Sequence, residues 1–253
     1  MFTVTGDEYD RFMGRYSVAL APVFAAFAGV EPGMRVLDVG CGTGALTVEL
    51  VRRTRDGIVS AIDPAEQFVE ACRARAPGAD IRVGPAERLP WPDADFDCVL
   101  TQLVLPFLTD ADAAMLEMRR VARPSANAAA CMWGAADEME LDAAFWRAAT
   151  RVDASAADRR RMRFRTRSET EALFQRAGFS RVESAPLDVT ATYSTFEEFW
   201  QSLLGAAGNM GAFVSTLDPP RLQRFRESCR AELGDPQAPF TLRARAWAVR
   251  GTR

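Results

Sequence analysis

The chain has 253 residues, a formal charge of −3 and 48% apolar residues, which fits a globular protein of one to two domains with ample core. All of its basic residues are arginine, and histidine is absent; a Ser-His-Asp hydrolase and a histidine-bearing zinc site are thereby excluded, and no metal site is expected. The mildly acidic balance argues against general nucleic-acid binding, which draws on excess basic charge.

The five cysteines (Cys41, Cys72, Cys98, Cys131, Cys229) form no C-x-x-C pair and are odd in number. Reduced, buried thiols in a cytoplasmic setting are the expectation. The first ten residues hold no apolar run, so no secretory signal is expected. The longest apolar stretches, such as 18–30, are shorter than a bilayer span and interrupted by proline, so no membrane span is expected.

Residues 7–30 read as helical, with Tyr9, Phe12 and Met13 at helical spacing and an apolar run from Val18 to Phe27. After the Pro32-Gly33 turn, the short apolar run Met34–Val39 reads as a first strand. It feeds Gly40-Cys41-Gly42-Thr43-Gly44 and then a helix over 45–53. A second strand over 57–62 closes at Asp63-Pro64, a helix runs over 65–75 to Pro77-Gly78, and a third strand covers 80–83. The fourth strand is read at 97–101. A helix over 110–122 ends before Pro124, and a fifth strand follows at 127–133.

Beyond Trp133 the rhythm breaks. Residues 135–165 read as helical and then loop-like, and Ser168 is read as the cap of a helix over 169–177. A strand is read at 181–193, helix over 195–233 and a last strand at 240–249. The expectation is one α/β domain: a Rossmann-like, mostly parallel sheet of about seven strands with the last antiparallel, flanked by helices. Residues 1–33 form a helical cover, 34–133 a binding core, and 134–253 a C-terminal part with helical inserts roofing the substrate.

The segment from Val36 to Gly44 carries the chemistry. Its glycines permit a tight turn and close approach of a ligand. The helix N-terminus beyond is expected to offer free N–H groups. Asp63 lies 23 residues past Gly40, where a carboxylate accepts from both hydroxyls of a ribose; capping of the next helix is a compatible second role. Gly40, Gly42 and Ala45 also satisfy the dinucleotide pattern G-x-G-x-x-[GA]. Asp38, two residues before the turn, repels a pyrophosphate and attracts a cationic ligand.

On these residues the sequence resembles the class I S-adenosylmethionine-dependent methyltransferases, most closely the small-molecule branch that includes quinone-biosynthesis enzymes. The similarity covers residues 9–133 and continues faintly through 171–179. The resemblance implies that Asp38, Gly40, Cys41, Gly42 and Gly44 line the methionine half of S-adenosylmethionine. It places Asp63 and Pro64 at the ribose, Phe68 on the adenine, and the Ala86 N–H at the adenine ring with Glu87 beside it. Thr101 and Gln102, just after the fourth strand, would lie near the reactive methyl with Leu103. Tyr9, Arg15 and Tyr16 resemble the cover that closes over the cofactor. Pro85 stands where the family has an acid, and Arg123-Pro124-Ser125-Ala126 replaces its Arg-Pro-Gly-Gly turn.

The function this implies is methyl transfer to a small apolar or aromatic acceptor, with S-adenosylhomocysteine as product; no catalytic base is identifiable. Alternatives are a methyltransferase-fold protein without transfer, such as a sensor, and an NAD-dependent oxidoreductase. The six-arginine run 159–167 reads either as an anion or nucleic-acid patch or as a solvated face. Phe196, Phe199 and Trp200 read equally as core or as substrate box.

Overall fold

Strand β1 (Arg35–Val39) is buried from Val36 onward and pairs in parallel with β2 (Ile58–Asp63) on one side and β4 (Phe96–Gln102) on the other. The computed structural model describes residues 10–159, 162–206, 208–237 and 239–253. Seven strands form one sheet in the order β3-β2-β1-β4-β5-β7-β6, where β3 is Asp80–Val83, β5 Ala122–Trp133, β6 Ser180–Tyr193 and β7 Phe240–Thr252. The pairs β2–β3 and β4–β5 are parallel, and β7 runs antiparallel to β5. Chain order reverses at β1, whose neighbours are β2 and β4, so the crevice at the carboxyl ends of these strands is where a sheet of this kind binds ligands.

Two compact units account for the described residues, one within 17–133, 163–187 and 246–253, the other within 10–16, 134–162 and 188–245. Helix α1 (Arg15–Ala28) follows a π-helical turn over Asp10–Gly14 and belongs to the larger unit from Ser17 onward; in that unit α2 (Ala45–Thr54), α3 (Glu66–Arg75) and α4 (Ala111–Val121) alternate with the strands. Ala128, Ala129 and Ala130 in β5 are fully buried; small side chains there allow close approach of neighbouring layers. Asp110 caps α4 by accepting from the Ala113 N–H at 3.0 Å.

The smaller unit is held by aromatic packing. Phe145 of α5 (Glu140–Val152) lies 5.0 Å from Phe225 of α10 (Pro219–Glu232) and 5.9 Å from Phe213 of α9 (Gly208–Val214), all edge-on. A short helix, α6 (Ala156–Arg159), follows α5, and α7 (Arg167–Arg176) lies in the larger unit. Arg147 and Arg151 of α5 both pair with Glu232 at the end of α10. Tyr193 stacks on Phe240 and meets Phe199 of α8 (Phe196–Leu204) edge-on.

Several boundaries differ from the sequence reading. Thr166, not Ser168, caps α7: its hydroxyl accepts from the Glu169 N–H while Glu169 accepts from the Thr166 N–H, a reciprocal box. Residues 195–233 are three helices; Gly205 closes α8, and Asp218-Pro219 starts α10 anew. Pro124 does not terminate α4, which ends at Val121, and β5 begins at once at Ala122. Pairing jumps from Phe96–Ala122 to Cys98–Asn127, so Arg123–Ala126 bulge opposite Asp97. Among the described residues no helix is long and apolar enough to cross a membrane, and no cluster of acidic and sulfur ligands could hold a metal ion.

Ser125 sits in this bulge at φ +66°, exposed and left-handed, where the related turn carries glycine. Ser125→Gly is expected to stabilise the protein by about 0.5–1 kcal/mol, relieved backbone strain outweighing the added unfolded-state entropy. Urea unfolding checks this; an unchanged or lowered midpoint contradicts it.

Candidate functional site

The glycine turn between β1 and α2 is shaped by two close approaches. Gly40 has φ +78°, and a Cβ there would stand 2.5 Å from Val104 Cγ2; Gly44 has φ +97°, and a Cβ would stand 2.9 Å from Cys72 Sγ. Any other residue would have to push aside the loop after β4 or helix α3.

The N–H groups of Gly40, Cys41, Gly42 and Gly44 are spent within the fold, while α2 beyond them starts after Gly44 without a side-chain cap. Gly40 and Cys41 both donate to the Ile62 carbonyl, at 2.8 and 3.0 Å, and Gly44 donates to the Cys41 carbonyl at 2.9 Å. Gly42 donates to Asp63 Oδ2 at 2.9 Å. Those N–H groups are therefore not available to a ligand.

Asp63 ends β2 and is buried. Its Oδ1 accepts from the Ala65 N–H at 2.9 Å, so each oxygen holds one backbone N–H and keeps lone-pair capacity for a ligand hydroxyl. Burial raises its pKa, while the Ala65 and Gly42 N–H groups oppose the shift. The residue braces the turn rather than capping α3 directly.

Asp38 lies inside β1, 1% exposed. Thr47 of α2 donates to its Oδ2 at 2.7 Å, and Oδ1 has no partner. Burial pushes its pKa up to about 7, with the Thr47 hydroxyl pulling the other way. Thr47 in turn accepts from Cys72 Sγ at 3.5 Å. The neighbouring Cys72 thiol and burial together hold the Cys41 thiol far above its ordinary range. All five cysteines are buried and free.

Thr101 and Gln102 are the last residues of β4 itself, not a segment after it. Thr101 Oγ1 and Gln102 Oε1 are buried without partners, while Gln102 Nε2 donates to the Ser17 carbonyl of α1 at 3.1 Å. Asp38 is in register with Leu100, so Asp38 and Gln102 share a sheet face. Leu103 follows at φ +64°, a strained conformation for a bulky residue.

The adenine-side residues are placed as follows. Phe68 is buried in α3 and Pro64 is exposed. Ala86 is buried in the loop after β3. Glu87 Oε1 accepts from the N–H groups of Thr109 and Asp110, fastening that loop to the start of α4. The opposite end of α4 grips the same loop: Arg120 donates to the Leu89 and Trp91 carbonyls, and Glu117 accepts from the Leu89 N–H. Sequence reasoning missed Thr47, Glu117 and Arg120. A polar residue between Leu46 and Leu50 on a buried helix face, and an acid–base pair at i,i+3, were the available signals.

Tyr9 lies outside the described residues. Arg15 donates to Glu198 Oε1 and to the Thr192 carbonyl, both at 2.8 Å, with its guanidinium 4.2 Å over the Tyr193 ring. Tyr16 is fully buried; burial, with Tyr193 nearby, pushes its hydroxyl pKa up. Phe196, Phe199 and Trp200 are packed core side chains. Of the arginine run, Arg163 covers Phe164 and Arg167 reaches Glu171, while 160 and 161 lie outside the described residues.

Because the folded pKa of Asp38 stands near 7, above its unfolded value, the stability it contributes is complete at low pH and is lost as pH rises through 7. Relative to Asp38→Asn, the ligand-free wild type is expected to lose stability between about pH 4 and 8. Parallel stability–pH curves for the two proteins would contradict this.

A methyltransferase domain family matches residues 37–130. The chain is 37% identical over 158 residues to a malonyl-[acyl-carrier protein] O-methyltransferase of Geobacter sulfurreducens, a match covering 61% of this chain and 58% of that protein. It is 30% identical over 235 residues to the enzyme of the same name from Halorhodospira halophila, covering 86% of this chain and 75% of that protein. A proposed type II methyltransferase from Anaeromyxobacter dehalogenans shares the fold at a TM-score of 0.65 and 24% identity, over 91% of this chain and 94% of that one. Similarity over this length, on a sheet that holds a buried carboxylate inside β1, decides between the dinucleotide and sulfonium readings: the chain belongs to the class I S-adenosylmethionine-dependent methyltransferases.

Proposed function

We propose that the chain binds S-adenosylmethionine at the carboxyl ends of β1, β2 and β4 and transfers its methyl group to the carboxylate oxygen of a small acyl compound. The carrying observation is the pair of orphaned buried oxygens, Asp38 Oδ1 and Gln102 Oε1, on one sheet face beside the glycine turn. Buried acceptors left open call for a ligand that brings donors and positive charge, as an amino acid ammonium does.

In this reading Asp38 and the turn Gly40–Gly44 with Cys41 receive the methionine half, and Asp63 with Pro64 receives the ribose. Phe68 and Ala86 receive the adenine. Glu87 acts through the loop it fastens rather than by touching the base. Thr101 and Gln102 lie toward the methyl group, and Tyr9, Arg15 and Tyr16 form part of the cover. The division into cover (1–33), cofactor core (34–133) and C-terminal substrate part (134–253) belongs to the same proposal, as does a cytoplasmic setting, which five unpaired buried thiols support.

Bound S-adenosylmethionine supplies an activated methyl carbon on a positively charged sulfur. The chain's task is to hold the acceptor in line with that carbon and to exclude water, worth roughly 7–11 kcal/mol in well-oriented systems. An acyl carboxylate suits a chain without histidine, since it is ionised at neutral pH and needs no general base. The naming of both relatives for O-methylation of a malonyl group supports this acceptor class.

Calorimetric titration of the folded protein with S-adenosylmethionine tests the reading. Binding tighter than about 1 mM is expected, with none for NAD; no binding overturns it. Asp63→Ala is expected to weaken binding by about 1.5–3 kcal/mol, the size of a charged hydrogen bond; an unchanged constant refutes the ribose role. Methylated product made with acyl acids is expected to release methanol in mild base. A base-stable methyl group would refute the carboxylate assignment.

A further inference from the structure

Cys41 and Cys72 bring two thiols together from different elements. Cys41 stands between Gly40 and Gly42 in the turn after β1, and Cys72 lies in α3. Gly44 joins them: its N–H donates to the Cys41 carbonyl at 2.9 Å, and a Cβ on it would stand 2.9 Å from Cys72 Sγ and 3.3 Å from Cys72 Cα. Both cysteines belong to one buried cluster with Ala61, Val69, Ala76 and Ile81.

The other three cysteines have different surroundings. Burial pushes the thiols of Cys98, Cys131 and Cys229 up, as expected of inert structural thiols. Cys72 has a hydroxyl and a second thiol beside it. Its Sγ donates to Thr47 Oγ1 at 3.5 Å, and the Cys41 thiol holds its pKa below the ordinary value against the opposing effect of burial. Cys41 is 6% exposed and Cys72 is fully enclosed, so a small oxidant reaches the pair from the turn.

We propose that Cys41 and Cys72 are a redox-modification site: hydrogen peroxide joins them in a disulfide that ties the glycine turn to α3 and weakens cofactor binding. The effect on binding rests on the reading of the site as one for S-adenosylmethionine; formation of the disulfide does not. The Cys72 thiolate attacks one peroxide oxygen, the O–O bond breaks, and the departing hydroxide takes up the proton that Cys72 gave up. Cys72 is then a sulfenic acid. The Cys41 sulfur attacks the Cys72 sulfur, the S–O bond breaks, and the hydroxyl leaves as water with the Cys41 proton. Two thiols and one peroxide thus give one disulfide and two waters, and the two electrons lost by the sulfurs go to the peroxide oxygens. The bond draws the sulfurs inside their contact distance and removes the S–H that Thr47 accepts. Thr47 holds Asp38 Oδ2 at 2.7 Å, so the turn and the support of the buried carboxylate are both disturbed. In a reducing cytoplasm such a disulfide is transient and regulatory.

The test uses the full chain, reduced and then freed of reductant. It is treated with hydrogen peroxide, blocked with N-ethylmaleimide in denaturant and mapped by mass spectrometry. A cross-linked Cys41–Cys72 peptide is expected, with Cys98, Cys131 and Cys229 alkylated; excess dithiothreitol is expected to reverse the cross-link. Calorimetry is expected to show S-adenosylhomocysteine bound roughly 10-fold more weakly by the oxidised than by the reduced protein. In Cys72→Ser, which keeps a donor for Thr47, peroxide is expected to leave the affinity as it was before treatment.

Absence of the cross-link, or pairing of either cysteine with a different one, overturns the proposal. A cross-link that leaves the affinity unchanged overturns its tie to the site. An equal peroxide-induced loss in Cys72→Ser assigns the effect to another oxidised residue and overturns that tie as well. If Cys72→Ser does not fold, reversal in the wild type decides: a loss of affinity that persists after dithiothreitol has opened the disulfide overturns the tie. Failure of the reduced wild type to bind S-adenosylhomocysteine instead removes the cofactor reading, while peptide mapping still decides whether the pair forms.

Discussion

Asp38 is a carboxylate placed inside a parallel sheet, with Thr47 on one oxygen and nothing on the other. In isolation such a group favours its protonated form, and burial raises its pKa toward neutrality. Much around it serves to make that placement tolerable. The Thr47 hydroxyl holds Oδ2, Cys72 donates to Thr47, and Gly44 is needed because Cys72 leaves no room for a Cβ above it. The glycine turn is thus partly a consequence of the carboxylate's support, as well as an opening for a ligand.

The same turn shows how one backbone pattern serves two ligand chemistries. In dinucleotide folds the N–H groups of a glycine turn remain free for pyrophosphate. Here Ile62, Cys41 and Asp63 accept them. Asp63 therefore acts twice: it removes a donor that would attract anions, and it keeps acceptor capacity at the end of β2. With these four donors taken, Asp38 and Gln102 still leave buried acceptors open on the same sheet face.

Helix α4 organises the opposite flank through its two ends. Its N-terminal N–H at Asp110 and that of Thr109 hold Glu87, and its last turn, through Glu117 and Arg120, holds Leu89 and Trp91. The loop over 85–91 is thereby tied at both ends although it has no regular structure. In the smaller unit, the Arg15 guanidinium is likewise committed, to Glu198, Thr192 and the face of Tyr193. Its aromatic residues fill a core rather than line an opening.

What the sequence determined by itself is the alternation of strands and helices, the glycine turn, and the acids Asp38 and Asp63 at the ends of consecutive strands. These features are local: apolar period, glycine at positive φ and fixed spacing are written within a few residues. Only the tertiary structure decided where the turn's N–H groups go, because Ile62 and Asp63 meet them across strands about 20 residues apart in the chain. It decided likewise that Gln102 reaches Ser17, 85 positions away. Phe196, Phe199 and Trp200 were undecidable in advance, since a core and an apolar pocket call for the same side chains and differ only in what packs against them. The bulge at Arg123–Ala126 was hidden for a related reason: Pro124 marks a break in either reading, and pairing with β4 alone shows that the strand resumes on both sides of it.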